Sequence, residues 1–372
     1  MLNLTTEELF LKLLRFVSVT PDDGGAFAFI KEYLADFEVI EVNVEQTKNL
    51  FMYKRFGEGP HLCFAGHIDV VPAGHGWESE PFEPVIKEGV VYARGAQDMK
   101  SGVCALLKSL HETHHFKGTL SALLTSDEEG YAKHGTIEVL EKLKRRSFLP
   151  DYAIVAEPTS EVAFGDALKI GRRGSINGVI EITGKQGHAA YPEKAINPVH
   201  QVAPLLHKLA GHFLDAGDEA FAPSQMVITD IRGGMEVTNV SPGNLKIMFN
   251  VRNSTKTDVE KIRTYVEETL QGLNFTLRLS ESAKPFITSN DSLIVKALCN
   301  ALTQVNGKEP KLSTAGGTSD ARFFGSFGIA TVECGVVNDT IHAPNECCPL
   351  HEVESLVTVF KTVIGNFEKE DV

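Results

Sequence analysis

Leu120-Ser121-Ala122-Leu123-Leu124-Thr125-Ser126-Asp127-Glu128-Glu129-Gly130 is an apolar run that stops abruptly in a row of carboxylates. Upstream, Cys63-Phe64-Ala65-Gly66-His67-Ile68-Asp69-Val70-Val71 ends its own apolar run in the same manner. Short continuous apolar segments closed by polar residues read as strands buried on both faces. Charged groups beside a core are costly unless something pairs with them. His, Asp and Glu set repeatedly just past strand ends therefore point to a bound cation, and to more than one.

Working outward, the residues up to about 175 alternate apolar strands with helices, the pattern of an α/β sheet covered by helices on both faces. Strands are expected at 61–66, 119–126 and 152–156, and helices at 5–16, 24–36, 100–114 and 135–145. Thr5 and Glu8 form a capping box for the first helix. His111, His114 and His115 fall at the end of the third, where cationic side chains favour the helix dipole, and read as structural. After Gly174 the pattern changes. A strand at 176–183, a helix opened by Asn197-Pro198, strands at 225–231 and 244–252, a helix at 257–271 and a strand at 274–280 give the order β-α-β-β-α-β of a ferredoxin-like unit. The first pattern resumes from about 285 with a helix at 291–305 and a strand at 329–334. One domain (1–175 and 285–372) is thus expected to be interrupted by a smaller one (176–284).

The chain has 372 residues, enough for two domains of ~100–200 residues each. Its 36 basic and 49 acidic residues give a net charge of −13, which argues against nucleic acid or an anionic membrane as partner. An anionic substrate would need locally placed basic groups. The N-terminus lacks a basic leader and small-residue cleavage site, and no apolar run approaches the ~20 residues that span a bilayer. Six scattered cysteines without zinc-ribbon spacing read as reduced thiols of a cytoplasmic protein.

Ligands of open α/β sheets lie beyond the carboxyl ends of strands. His67 and Asp69, Asp98 (after Gly95-Ala96-Gln97), Glu128-Glu129 and Glu157 all fall there, and His342 returns from the second half of the chain. Singly, each has a dull explanation as a cap, a solvated pair or a core histidine. Jointly, imidazoles and carboxylates suit zinc or a similar metal. The groups divide between two ions: His67, Glu157 and Asp98 for one; His342, Glu129 and the second oxygen of Asp98 for the other. Each ion would keep an open position, as catalysis requires. Asp69 would then hydrogen-bond the His67 imidazole and fix its tautomer, and Glu128 is left over as a general base for a metal-activated water.

The blocks Gly66-His67-Ile68-Asp69-Val70-Val71-Pro72, Gly95-Ala96-Gln97-Asp98-Met99-Lys100, Asp127-Glu128-Glu129-Gly130 and Ala156-Glu157-Pro158-Thr159 resemble those of the dizinc aminoacylase/carboxypeptidase family. The resemblance extends through Gly171-Arg172-Arg173-Gly174-Ser175, Gly187-His188-Ala189-Ala190-Tyr191-Pro192 and Gly316-Gly317-Thr318-Ser319-Asp320-Ala321-Arg322-Phe323, over nearly the whole chain. Ile68 stands where Thr is common in the family, and Ala343-Pro344 where Lys-Val is common. The resemblance implies a mixed-sheet α/β/α catalytic domain, an inserted ferredoxin-like dimerisation (lid) domain and a homodimer. It also implies two zinc ions per subunit, with cobalt as an alternative occupant of one position, Asp98 bridging them and Glu128 acting as base. His188, on the lid, would reach the other subunit's site to hold the carbonyl oxygen.

A small-molecule substrate bearing several carboxylates needs planar bidentate donors. Arg172, Arg173, Arg252 and Arg322 stand near glycine turns or strand ends, and Asn239 and Thr318 can add neutral hydrogen bonds. The reading is a metal-dependent amide hydrolase. A deacetylase or dipeptidase of the same family is its nearest rival, and a metal-free binding scaffold on the same fold is the rival from outside that class.

Overall fold

The computed structural model describes residues 2–367, so the outer boundaries at 1 and 372 lie outside the described residues. Two compact units divide the chain. One combines the chain up to Gly171, Ile287–Ser313 and the chain from Ser319; the other is Arg172–Phe286 with Thr314–Thr318. Arg172 and Arg173, on the outer side of the expected boundary at 175, group with the insert.

The outer unit is built on an eight-stranded mixed sheet. Its order is Glu38–Glu41, Asn49–Arg55, Thr119–Thr125, His61–His67, Tyr152–Val155, Ala330–Glu333, Ala167–Lys169, Lys311–Ser313. Thr119–Thr125, His61–His67, Tyr152–Val155 and Ala330–Glu333 run parallel as the centre of the sheet. Asn49–Arg55 and Glu38–Glu41 add antiparallel strands at one edge. Both His61–His67 and Thr119–Thr125 are buried along their whole length, as central strands of a covered sheet must be. Helices Lys100–His111 and Leu350–Asn366 bury their apolar faces in the same core, with Leu106, Leu110, Leu356 and Phe360 shut away from solvent. The helix Thr6–Leu14 begins with the anticipated reciprocal cap, Glu8 N donating to Thr5 Oγ1 (3.1 Å) and Thr5 N to a Glu8 carboxylate oxygen (2.8 Å).

The insert is a four-stranded antiparallel sheet in the order Gln225–Gly233, Asn244–Arg252, Ser175–Thr183, Phe275–Ala283. That is the ferredoxin-like order expected from its element sequence. Along Asn244–Arg252, Leu245, Ile247, Phe249 and Val251 are buried while Lys246, Met248, Asn250 and Arg252 are only partly covered, a clean period of two. Asp258 caps the helix Val259–Thr269, and Asn197 caps a helix that runs only from Pro198 to Val202. No helix among the described residues is long and apolar enough to cross a membrane.

One buried histidine sets a pH dependence. His61 packs against Phe51 and Phe148, with Nε2 2.8 Å from Ser121 Oγ, and burial pushes its pKa down to about 4. The unfolded chain takes up that proton near pH 6.5 and the folded chain only near 4. Stability from this group is therefore complete above pH 6.5 and is lost as pH falls toward 4, by up to about 3 kcal/mol. Urea titrations across that window are expected to show a shallower acid limb for His61→Phe; an identical limb would refute the assignment.

Candidate metal centre

All seven residues expected around the cations belong to the outer unit. The parallel strands deliver them. His67 ends one strand, Glu128-Glu129 follow Thr119–Thr125, and Glu157 follows Tyr152–Val155. Asp98 precedes the helix Lys100–His111, and His342 sits on the loop before Cys347–Pro349. The helix comes close enough because Gly102 has no side chain: a Cβ there would stand 1.9 Å from the carbonyl oxygen of Ala156, the residue before Glu157.

The geometry falls into two groups that share one carboxylate. His67 Nε2 is 3.2 Å from Asp98 Oδ1 and 3.8 Å from Glu157 Oε1. His342 Nε2 is 3.3 Å from Asp98 Oδ2 and 2.9 Å from Glu129 Oε1. Asp98 thus turns one oxygen toward each imidazole. His67, Asp98 and Glu129 also place one ligand atom each within 4.8 Å of one another.

The protonation pattern tests whether this donor set fits a metal. His67 Nδ1 is 2.8 Å from the backbone carbonyl oxygen of Asp69, which can only accept. Nδ1 therefore carries the hydrogen, and Nε2 turns its lone pair toward carboxylate oxygens. That arrangement is repulsive unless a proton or a metal lies between them. The carboxylates report the same deficit of positive charge. Burial first, and then like charge from Asp98, push Glu157 well above the usual range. Burial, with Asp320, Glu129 and Asp98 beside it, pushes Glu128 up to about 8. Hydrogen bonds to Asp98 and Glu129 lift His342 to about 10. Two divalent cations would satisfy every one of these groups, so the residues present fit the ions that the sequence implied.

Asp69 departs from its expected task. Its carboxylate lies 3.7 Å from His67 Nδ1, and the same residue's carbonyl takes the imidazole hydrogen instead. The carboxylate is occupied elsewhere: it accepts from Glu129 N (3.1 Å), Glu128 N (3.4 Å) and Thr20 Oγ1 (2.6 Å). It therefore holds the loop that carries Glu128 and Glu129. Thr20, singled out by no motif, is part of that support.

The expected substrate contacts are divided between the units. Arg322 is in the outer unit with its guanidinium over the Phe323 ring, 4.6 Å from the centroid. Arg172, Arg173, Arg252, Asn239 and Thr318 are in the insert. Arg173 and Arg252 lie at one end of paired strands, where Gly174 and Asn253 exchange backbone hydrogen bonds of 2.8 and 3.2 Å. Buried Arg172 donates to the carbonyl of Ala315 (2.9 Å), anchoring the short segment that contains Thr318. Asn239 is exposed, and its carbonyl accepts from Ala189 N (2.9 Å). His188, also in the insert, is exposed on the two-residue strand Gly187–His188.

The model of Peptidase family M20/M25/M40 matches residues 63–366. A protein of a Nitratiruptor species named succinyl-diaminopimelate desuccinylase is 62% identical over 360 residues, covering 97% of this chain and 99% of that protein. Among solved structures, an M20 family metallo-carboxypeptidase from Sulfolobus solfataricus aligns with a TM-score of 0.82 at 16% identity, over 98% of this chain and 100% of the other. A dinuclear metal binding peptidase of the M20 family from Bacillus subtilis aligns at 0.71 and 14%, over 96% of each chain. The chain belongs to peptidase family M20/M25/M40.

Proposed function

We infer that this protein is a metal-dependent amide hydrolase that cleaves N-succinyl-LL-2,6-diaminopimelate to succinate and LL-2,6-diaminopimelate, in lysine and diaminopimelate biosynthesis. The observation that carries the hydrolase reading is Asp98 turning one oxygen toward each of two imidazoles, with Glu128 left over beside them. The substrate rests on the near full-length identity to a relative named for that activity. His67, Asp98 and Glu157 would hold one zinc ion, and His342, Asp98 and Glu129 the other, with cobalt able to replace one of them. When bound, such ions polarise a carbonyl oxygen and make water a stronger acid.

The chain's own residues do the rest. Glu128 takes a proton from the attacking water and passes it to the leaving amine, a task that favours a carboxyl titrating near working pH. His188 Nδ1 accepts from Ala190 N (3.1 Å), so in the neutral ring Nε2 carries the hydrogen and can donate to an oxyanion. In a homodimer, His188 of one subunit serves the other's site. Arg172, Arg173, Arg252 and Arg322 supply forked donors for the substrate's carboxylates, with Asn239 and Thr318 as neutral partners. A cytoplasmic location, with the six cysteines reduced, accords with this role.

Purified protein offered succinyl-diaminopimelate and acetylornithine in parallel tests the reading. Faster turnover of acetylornithine would reject the substrate. Absence of stoichiometric metal by elemental analysis would reject metal catalysis and favour a binding scaffold. His188→Ala is expected to lower turnover ~10²–10³-fold, as loss of an oxyanion donor does, with metal content preserved. Unchanged turnover would remove His188 from the mechanism.

A further inference from the structure

Arg94 and Glu346 lie outside the blocks that carry the family resemblance and Gln97 lies within one, and all three are buried to 2% exposure or less. Glu346 accepts four hydrogen bonds. Its Oε1 receives the backbone N–H of Gln97 (2.8 Å) and of Asp98 (2.9 Å). Its Oε2 receives Gly95 N (2.9 Å) and Arg94 Nη1 (2.7 Å). The Arg94 guanidinium also donates to the carbonyls of Ala73 (3.2 Å), His342 (3.3 Å) and Ala343 (3.3 Å). From the same loop, Gln97 Oε1 accepts from Asp339 N (3.0 Å) and Thr340 N (2.7 Å), while its Nε2 donates to Asp339 Oδ1 (2.6 Å).

These bonds tie together three stretches that each adjoin a candidate ligand: the chain that follows His67, the 94–98 loop that presents Asp98, and the 339–346 loop that presents His342. A buried ion pair is poor evidence of stability, because apolar residues of similar volume often serve as well or better. What it offers here is position. The Asp98 backbone is gripped at its own N–H, and His342 is kept at φ 61, a left-handed conformation that a non-glycine residue holds only when its surroundings enforce it.

We propose that Glu346, acting with Arg94 and Gln97, is a positioning clamp that sets the separation of the Asp98 and His342 loops and so governs how tightly the second cation is held. The proposal rests on the binuclear reading above. Glu346→Gln leaves one acceptor oxygen for donors that occupy two, so Asp98 loses its register toward both histidines. Gln97→Ala spares the Glu346 contacts and frees only the loop leading to His342.

The test is a titration of metal-free protein with zinc alone, in competition with a chromophoric chelator, together with the visible absorption of the cobalt(II) form. Gln97→Ala is expected to weaken one of two binding steps ~10–100-fold, as loss of a supporting partner does, and to leave the other within about threefold. Its turnover should recover in excess zinc, and the visible band of the second cobalt equivalent should change while the first does not. Glu346→Gln is expected to weaken both steps. A merely structural role would lower the unfolding midpoint of both variants and, in Gln97→Ala, leave the ratio of the two affinities unchanged, which overturns the clamp. If Glu346→Gln does not fold, Gln97→Ala decides alone. Two wild-type binding steps that persist unaltered in the variants reject only the clamp; a wild-type protein that binds fewer than two ions rejects the binuclear reading, and the clamp with it.

Discussion

Asp98→Asn is expected to abolish hydrolysis and release at least one of the two cations. Asp98 turns Oδ1 toward His67 and Oδ2 toward His342, at 3.2 and 3.3 Å, so it is the one group the two halves of the centre share. An amide keeps the shape but replaces one oxygen with a donor that cannot ligate, and it removes the charge that balances two ions. Losing several kcal/mol of electrophilic stabilisation corresponds to ~10³-fold or more in turnover. Elemental analysis and a succinate-release assay on the same preparation check both halves of the expectation. A variant that kept two ions and measurable turnover would show that Asp98 does not bridge.

Glu128→Gln should separate chemistry from metal binding. Glu128 has no place in either imidazole-carboxylate group, and its backbone is secured by Asp69, so the loop should stay in place when the side chain changes. Turnover is expected to fall ~10²–10⁴-fold, the range for loss of a general acid-base, while both ions and substrate binding persist. Loss of metal in this variant would move Glu128 from base to ligand. The contrast with Asp98→Asn makes the pair informative: one variant is inactive because the centre is incomplete, the other because a complete centre lacks its proton carrier.

Much of this was legible in the residues. Strands with period two, such as Leu245 to Val251, and buried runs such as Leu120 to Thr125 announce themselves because burial acts on neighbouring residues. The candidate ligands His67, Glu129 and Glu157 could be picked out because charge at a strand end has few structural uses. The edge strands Glu38–Glu41 and Asn49–Arg55 and the helix Leu350–Asn366 went unread because they carry no site residue, although Val353, Leu356, Val357, Phe360, Val363 and Ile364 recur at regular helical spacing. Glu346 was invisible for a different reason: its partner Arg94 is 252 positions away, and nothing local marks a carboxylate destined for burial. Asp69 shows a third limit. Spacing placed it beside His67 correctly, but whether carbonyl or carboxylate would meet the imidazole depended on backbone direction, which spacing does not encode.

The outer unit is assembled from stretches on either side of the long segment Arg172–Phe286, and this orders events on the ribosome. Translation at ~5–20 residues per second separates the emergence of Glu157 from that of His342 by roughly 10–40 s. Throughout that delay the nascent amino-terminal half holds its carboxylates without the final imidazole, and Lys100–His111 waits for the last helix, which later takes the Ser109 hydroxyl on Val357 O (3.3 Å). A truncated product ending within the insert is thereby denied both its closing ligand and the cover for its central helix.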